Sequence, residues 1–467
     1  MSTGLNTNSI EQLIVDRKPF PREIFPIRNW GDFMSQFIGL FGIFVLLGIA
    51  YLFSHDKKNI PWPLVIKGLV LQWILALLVL GIPAFGWTGP LAFLFQGAND
   101  VVISLLAYTA KGSAFLFGNL VKDTSSFGFI FAFQVLPTII FMSSLMSVLY
   151  HLGIMQLLVW VIAILMHKTM KISGAESLSV AANVFVGQTE APLIVKPYLK
   201  KMTESELLSI MVGGMATVAG GVLAAYVLLL QKKIPDIAGH LLTASVMSAP
   251  AALLIAKMLI PETMESETMG KVPNEIETES NHNIIEAAAK GAGEGLSLAL
   301  NVGGMLLAFI ALIALSDGIL STLGEAVHFS SWGKDLVPEI MYVDGKATLT
   351  FSVLLGWIFS PIAWVMGIPL EEIGIAGALL GEKLILNEMY AYEHLAQIMN
   401  QLSDRTTIIL SYALCGFANF SSIAIQIGGI GGLAPTRKSD LARLGVKSII
   451  GGSLAAFMTA TIAGILL

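Results

Sequence analysis

An apolar run about 20 residues long leaves a chain few ways to fold. In lipid only a helix or a closed barrel satisfies its own backbone polar groups. Eight such runs stand out here: Phe37–Phe53, Pro63–Phe85, Phe127–Leu149, Leu207–Leu230, Ala238–Ile260, Leu296–Ile319, Thr406–Ile430 and Val446–Leu467. Only 13% of the 467 residues are charged and 55% are hydrophobic, whereas soluble domains carry about a quarter charged. The chain therefore reads as an all-α polytopic membrane protein with about eight transmembrane helices.

Several function classes fall away. The net charge is −5 with no basic stripe, so nucleic acid is not a partner. The lone cysteine, Cys415, excludes an internal disulfide. Residues 1–35 are polar and hold no apolar core of a cleavable signal. No G-x-x-x-x-G-K-[S/T] loop exists to drive an ATP motor, and neither H-E-x-x-H nor G-x-S-x-G supports an intramembrane hydrolase. No cofactor is called for beyond a coupling ion.

Other segments depart from simple spans. Asn99, Asp100, Tyr108 and Lys111 interrupt Gly97–Gly118, which reads as a helix lying along the interface. Residues 262–283 are rich in Glu and read as a solvated, mobile loop. Basic clusters at His55–Lys58 and 437-RKSDLAR-443 place both termini outside, while Arg17, Lys18, Arg22 and Arg28 argue mildly the other way. Gln156–Tyr198 and Phe351–Tyr392 are apolar yet broken by Gly, Pro and acids. They read as re-entrant hairpins, which lipid tolerates only where the broken backbone is buried or lines a cavity.

These two regions open an internal repeat. Glu190 is followed 27 residues later by Thr217 within 214-GMATVAGG-221, and Glu388 is followed 31 residues later by Asn419 within 416-GFANFSSI-423. Each half is a broken hairpin with a glutamate, a span interrupted by small polar residues, and a further span. Paired interruptions of this kind point to the midplane site of a secondary transporter.

In 183-NVFVGQTEAPLIVKPYL-199 the sole acid between Ser177 and Val195 is Glu190, beside Gln188 and Thr189. A charge at the bilayer centre costs about 2.5–3.5 kcal/mol even on lenient scales, so intramembrane acids are functional by default. A buried acid satisfied by nearby backbone is the structural alternative. For Glu388 the alternative is a local ion pair with Lys383. Asn419, with Ser421 and Ser422, sits in a charge-free stretch between Phe417 and Phe420. Asn183 and Thr217 offer hard oxygens to a small cation, or else a helix–helix hydrogen bond. Amides, hydroxyls, carboxylates and aromatic faces without clustered Arg or Lys suit a neutral polyhydroxylated or heterocyclic solute. A gradient-driven transporter results; a membrane enzyme using Glu190 and Glu388 as an acid/base pair is the rival class.

The segments 178-LSVAANVFVGQTEAP-192, 387-NEMYAYE-393 and 410-LSYALCGFANFSSIAIQIGGIGGLAP-435 resemble the concentrative nucleoside transporters, from about Gly97 to the C-terminus. The resemblance implies eight spans, two re-entrant hairpins, an interfacial helix and an inverted repeat. It also implies a homotrimer with a scaffold and a transport domain that moves like an elevator. The implied division is a tail at 1–35, scaffold helices at 36–96, 127–155 and 294–325, and an interfacial helix at 97–126. The transport-domain repeats take 156–260 and 350–467, with an acidic loop at 261–293. By similarity Gln188, Thr189 and Glu190 face the nucleobase with Val222 lining that side, Glu388 accepts from ribose hydroxyls with Asn419 and Ser422 beside it, and Phe417 closes the pocket. Asn183, Thr217 and the carbonyls of Val186 and Val218 would hold sodium. The implied activity is sodium-coupled import of uridine-like nucleosides across a bacterial plasma membrane. Alternatives are proton coupling, with Glu190 as carrier, or another neutral solute such as a nucleobase.

Overall fold

A computed structural model describes residues 30–122, 128–273 and 282–467; most of the polar tail and part of the acidic loop lie outside them. The described residues form helices α1 (Trp30–Leu52), α2 (Trp62–Leu80), α3 (Ala92–Phe117), α4 (Leu136–His151) and α5 (Ile154–Met170). A first hairpin follows: α6 (Gly174–Asn183), a turn, and a return arm of short helical turns from Ala191 to Leu199. Then come α7 (Glu204–Ala216), α8 (Gly220–Leu230), α9 (Ile237–Leu259) and the long α10 (Ile284–Ala326). The second half repeats the order: α11 (Phe351–Val365), hairpin helices α12 (Ile373–Ile385) and α13 (Glu388–Ile398), α14 (Asp404–Ala413), α15 (Phe420–Leu433) and α16 (Lys438–Leu466).

Among the described residues eight helical stretches, with α7 and α8 counted together, are long and apolar enough to cross a membrane, but they are not quite the eight runs above. Thr406–Ile430 is not one helix: it is α14 and α15, separated at residues 414–419. In its place α3 qualifies by length and composition. Of the polar residues that suggested an interfacial helix, Asn99 is buried and accepts from the Ala238 amide at 3.2 Å, while Asp100, Tyr108 and Lys111 are exposed. Leu207–Leu230 is likewise split, where Thr217 and Ala219 take extended backbone between α7 and α8. The two breaks touch. Gly416 has φ +147°, and a Cβ there would lie 2.7 Å from the Met215 carbonyl oxygen, so only glycine fits the crossing.

Three segments are more ordered than their composition suggests. Neither Gln156–Tyr198 nor Phe351–Tyr392 is a single hairpin, because α5 and α11 stand before the hairpin arms as separate helices. The acidic stretch is partly folded: Asn283 caps α10, which starts inside the segment expected to be loop. Further upstream, Thr268 accepts the Ala175 amide and Ser266 donates to buried Glu206. Lys257, 2% exposed, pairs with Glu176 at 2.8 Å and Glu262 at 3.3 Å. A buried cation needs such partners, since an unpaired one would carry its full desolvation cost.

Burial separates a centre from a surround. In the most apolar windows of α7–α8, α9 and α16, 89% of residues are buried, against 17% for α3 and 22% for α4 and α10. Helix α10 packs on α4 and exposes Leu307, Leu312, Leu315 and Ile319, an apolar face suited to lipid or another chain. The ends of the hairpins are held reciprocally. Arg437, just after α15, donates to the carbonyls of Met202 (2.6 Å), Leu199 and Lys200 (both 3.3 Å) at the end of the first hairpin. Lys233, just after α8, donates to those of Met399 and Leu402 (2.8 Å) at the end of the second. Each cation caps C-terminal carbonyls belonging to the other half.

Candidate solute and ion site

The hairpin tips and the two helix breaks converge on a cavity of about 680 Å³, within the usual range for small-molecule sites. Each contributes polar groups because a helix end leaves backbone donors and acceptors unpaired. Asn387 caps α13 through the Tyr390 amide (2.9 Å), which puts the next residue, Glu388, at the helix start. Asn419 caps α15 through the Ser422 amide (2.9 Å), which turns its own amide nitrogen toward Glu388. In the first hairpin Gly187 and Pro192 bracket the turn, and the Phe185 carbonyl accepts the Gly220 amide at 2.9 Å, seating the tip on the break between α7 and α8.

A chain of hydrogen bonds then crosses both halves. Tyr226 Oη donates to Glu388 Oε1 and Asn419 Nδ2 to Glu388 Oε2, both at 3.0 Å. Asn419 Oδ1 also accepts from Ser421 Oγ at 2.7 Å, and Gln188 Nε2 donates to Ser422 Oγ at 3.0 Å. Thr189 presses its methyl against Gly429, where a Cβ would lie 2.5 Å away. Glu190, by contrast, is exposed. The local pair of Glu388 with Lys383 does not form: Lys383 donates to the Ala413 carbonyl at 2.8 Å.

All eight residues expected to meet the solute line this one cavity: Gln188, Thr189, Glu190, Val222, Glu388, Phe417, Asn419 and Ser422. The expected ion residues sit beside it. Val186 lines the wall, while Asn183, Thr217 and Val218 are buried behind it. Asn183 Nδ2 donates to the Ser179 carbonyl at 3.2 Å, and its buried Oδ1 has no hydrogen-bond partner. Thr217 Oγ1 donates to the Gly213 carbonyl at 2.9 Å, leaving its lone pairs as acceptors. A set of neutral hard oxygens, one of them an orphan acceptor, fits a small monovalent cation. Among the described residues no cluster of three or more His, Cys, Asp or Glu offers a transition-metal site.

The opposite wall was not legible in the sequence. Ser143, Ser147 and Tyr150 of α4 and Lys290 and Glu294 of α10 complete the cavity. Lys290 fell within the presumed loop, so nothing marked it. Lys196 and Lys290 do bring cations to a site expected to have none, but both are exposed, whereas Gln188, Glu388, Asn419 and Ser422 are buried. Gln426, one turn after Ser422, donates to the Met211 carbonyl at 2.9 Å; its i, i+4 spacing from Ser422 was the available signal.

The chain has relatives among known transport proteins. Residues 240–464 match the model for the Na+ dependent nucleoside transporter C-terminus, 41–120 that for its N-terminus, and 132–233 one described as nucleoside recognition. The chain is 45% identical to an uncharacterized transporter of Haemophilus influenzae, across 92% of this chain and 98% of that one. It is 38% identical to mouse sodium/nucleoside cotransporter 1, across 92% of this chain and 64% of that one. A structure of CNTnw in an inward-facing substrate-bound state superposes with a TM-score of 0.81 at 43% identity, covering 93% of this chain and 98% of that one.

Proposed function

The chain belongs to the sodium-dependent nucleoside transporter family, and from that premise we propose that it is a sodium-coupled symporter importing uridine-like nucleosides. It is a multi-pass inner-membrane protein and not an enzyme. The observation that carries the finer reading is the bonded chain Tyr226–Glu388–Asn419–Ser422–Gln188. It sets a carboxylate and an amide on one cavity wall, drawn from opposite halves of the protein. A carboxylate accepts from paired ribose hydroxyls, and an amide both donates to and accepts from a base edge. Phe417, half-buried on the same wall, offers a flat face for the base or sugar.

Sodium couples through adjacency. Asn183 ends the helix that leads into the Gln188–Glu190 turn, and Thr217 ends α7 at the break on which that turn rests. An ion drawing in Asn183 Oδ1 and Thr217 Oγ1 would order the tip that meets the base, so each ligand favours the other. Alternating access follows if the buried centre, carrying both hairpins, slides along α4 and α10, which supply the other wall. The exposed apolar faces of α3 and α10 supply surface for assembly into a homotrimer.

The test is uptake of labelled uridine into proteoliposomes with an imposed sodium gradient and no proton gradient. Concentrative uptake is expected, competed by adenosine or cytidine more strongly than by uracil or ribose. No uptake there, with uptake under a proton gradient, overturns sodium coupling and transfers the role to Glu190.

A further inference from the structure

Glu388 is held by a residue that does not line the cavity. Tyr226 lies in α8 of the first half, is 0% exposed and is not among the residues lining the cavity. Its hydroxyl nevertheless donates to Glu388 Oε1 at 3.0 Å. Its ring stacks on Tyr392 with centroids 4.3 Å apart and planes 23° apart, and the Tyr392 hydroxyl is fixed on the Ser411 carbonyl at 2.6 Å. Tyr226 thus has little freedom to follow Glu388 if the acid moves.

We infer that Tyr226 is a positioning residue for solute recognition, fixing the plane of the Glu388 carboxylate so that it meets two neighbouring hydroxyls of the sugar together. Each carboxylate oxygen offers about two acceptor sites. Tyr226 takes one on Oε1 and Asn419 one on Oε2, so each pin leaves its oxygen a further acceptor site, and the residue lines the cavity. Two donors on adjacent sugar carbons match that pair only when the carboxylate cannot rotate. A pin from one side alone would leave rotation about the remaining bond. The two pins come from different halves, α8 and the start of α15, so the acid is oriented only when both halves are docked.

This inference rests on the nucleoside reading above, and the experiment separates the two. Binding of uridine and of 2′,3′-dideoxyuridine to the full purified chain is measured calorimetrically in saturating sodium for wild type, Tyr226→Phe and Tyr412→Phe. With the carboxylate free to rotate, one of the two sugar hydrogen bonds to this charged acceptor is lost, which should weaken uridine binding by about tenfold or more in Tyr226→Phe. Dideoxyuridine, lacking both hydroxyls, should change by less than about threefold in the same variant. Tyr412→Phe, equally buried but bonded through its hydroxyl to His240 rather than to Glu388, should leave both ligands within about threefold. Equal losses for both ligands in Tyr226→Phe would reduce the residue to a packing role and overturn the inference, as would unchanged uridine affinity. If wild type binds the two ligands equally, or binds no uridine, the assignment of Glu388 to the sugar fails first and takes this inference with it.

Discussion

The two hairpins occupy corresponding places in the repeat but reach the cavity in opposite ways. In the first, residues 184–190 separate α6 from the return arm, and the tip leaves buried acceptors unused: Asn183 Oδ1 and Gln188 Oε1 have no partner. In the second, only Leu386 and Asn387 separate α12 from α13, and Glu388 already has both oxygens engaged. A long tip with open acceptors suits ligands that arrive and leave. A short tip with a pinned acid suits a fixed template. Burying an unsatisfied acceptor costs about 1–3 kcal/mol, so the first hairpin is the part of the site whose stability depends most on its ligands.

The comparison can be broken at several points. Glu388→Ala should have the largest effect, lowering uridine affinity by about a hundredfold or more in a binding assay, because Tyr226 and Asn419 then also lose their acceptor. Affinity retained within tenfold would show that the second hairpin is not the template. Asn183→Ala should come next: the sodium concentration for half-maximal uptake should rise about tenfold, while uridine binding recovers at high sodium. A drop that sodium cannot rescue would move the ion elsewhere. Gln188→Ala should cost about fivefold to tenfold in uridine affinity and narrow the preference of uridine over ribose in competition.

The smallest effects test the clasps. Arg437→Ala and Lys233→Ala should each lower the melting temperature by a few degrees, since each frees two or more C-terminal carbonyls. Arg437→Ala should also increase hydrogen exchange at residues 196–202, and Lys233→Ala at residues 396–402. Exchange that rises in the other hairpin instead would refute the crossed arrangement.

Much of the fold was legible because lipid enforces it. Apolar runs announce spans, and Ser, Thr or Asn before an acid announces helix starts, as at Ser173 with Glu176 and Thr203 with Glu206. The site residues on the hairpins were legible for the converse reason: Glu190 and Glu388 are polar where polarity is expensive. What stayed hidden did not depart from its local pattern. The small polar residues of 416-GFANFSSI-423 marked an interruption in Thr406–Ile430, but that it parts two separate helices shows only in Gly416 meeting the Met215 carbonyl. Tyr226 reads as an ordinary member of an apolar helix, and Lys257 as a terminal cation, until their buried partners are seen.

The sequence by itself determined that this chain lives in a membrane, that its two halves correspond, and which few polar groups are costly to place there. Hydropathy and polarity are local properties, so a linear reading recovers them. Only the tertiary structure decided that Gln188 and Ser422, 234 residues apart, share a hydrogen bond. It alone placed Lys233 and Arg437 across the repeat, and α4 and α10 as the facing wall. Those pairings arise when half-helices cross and bury one another's loose ends, and nothing in a single segment's composition records which partner it will meet.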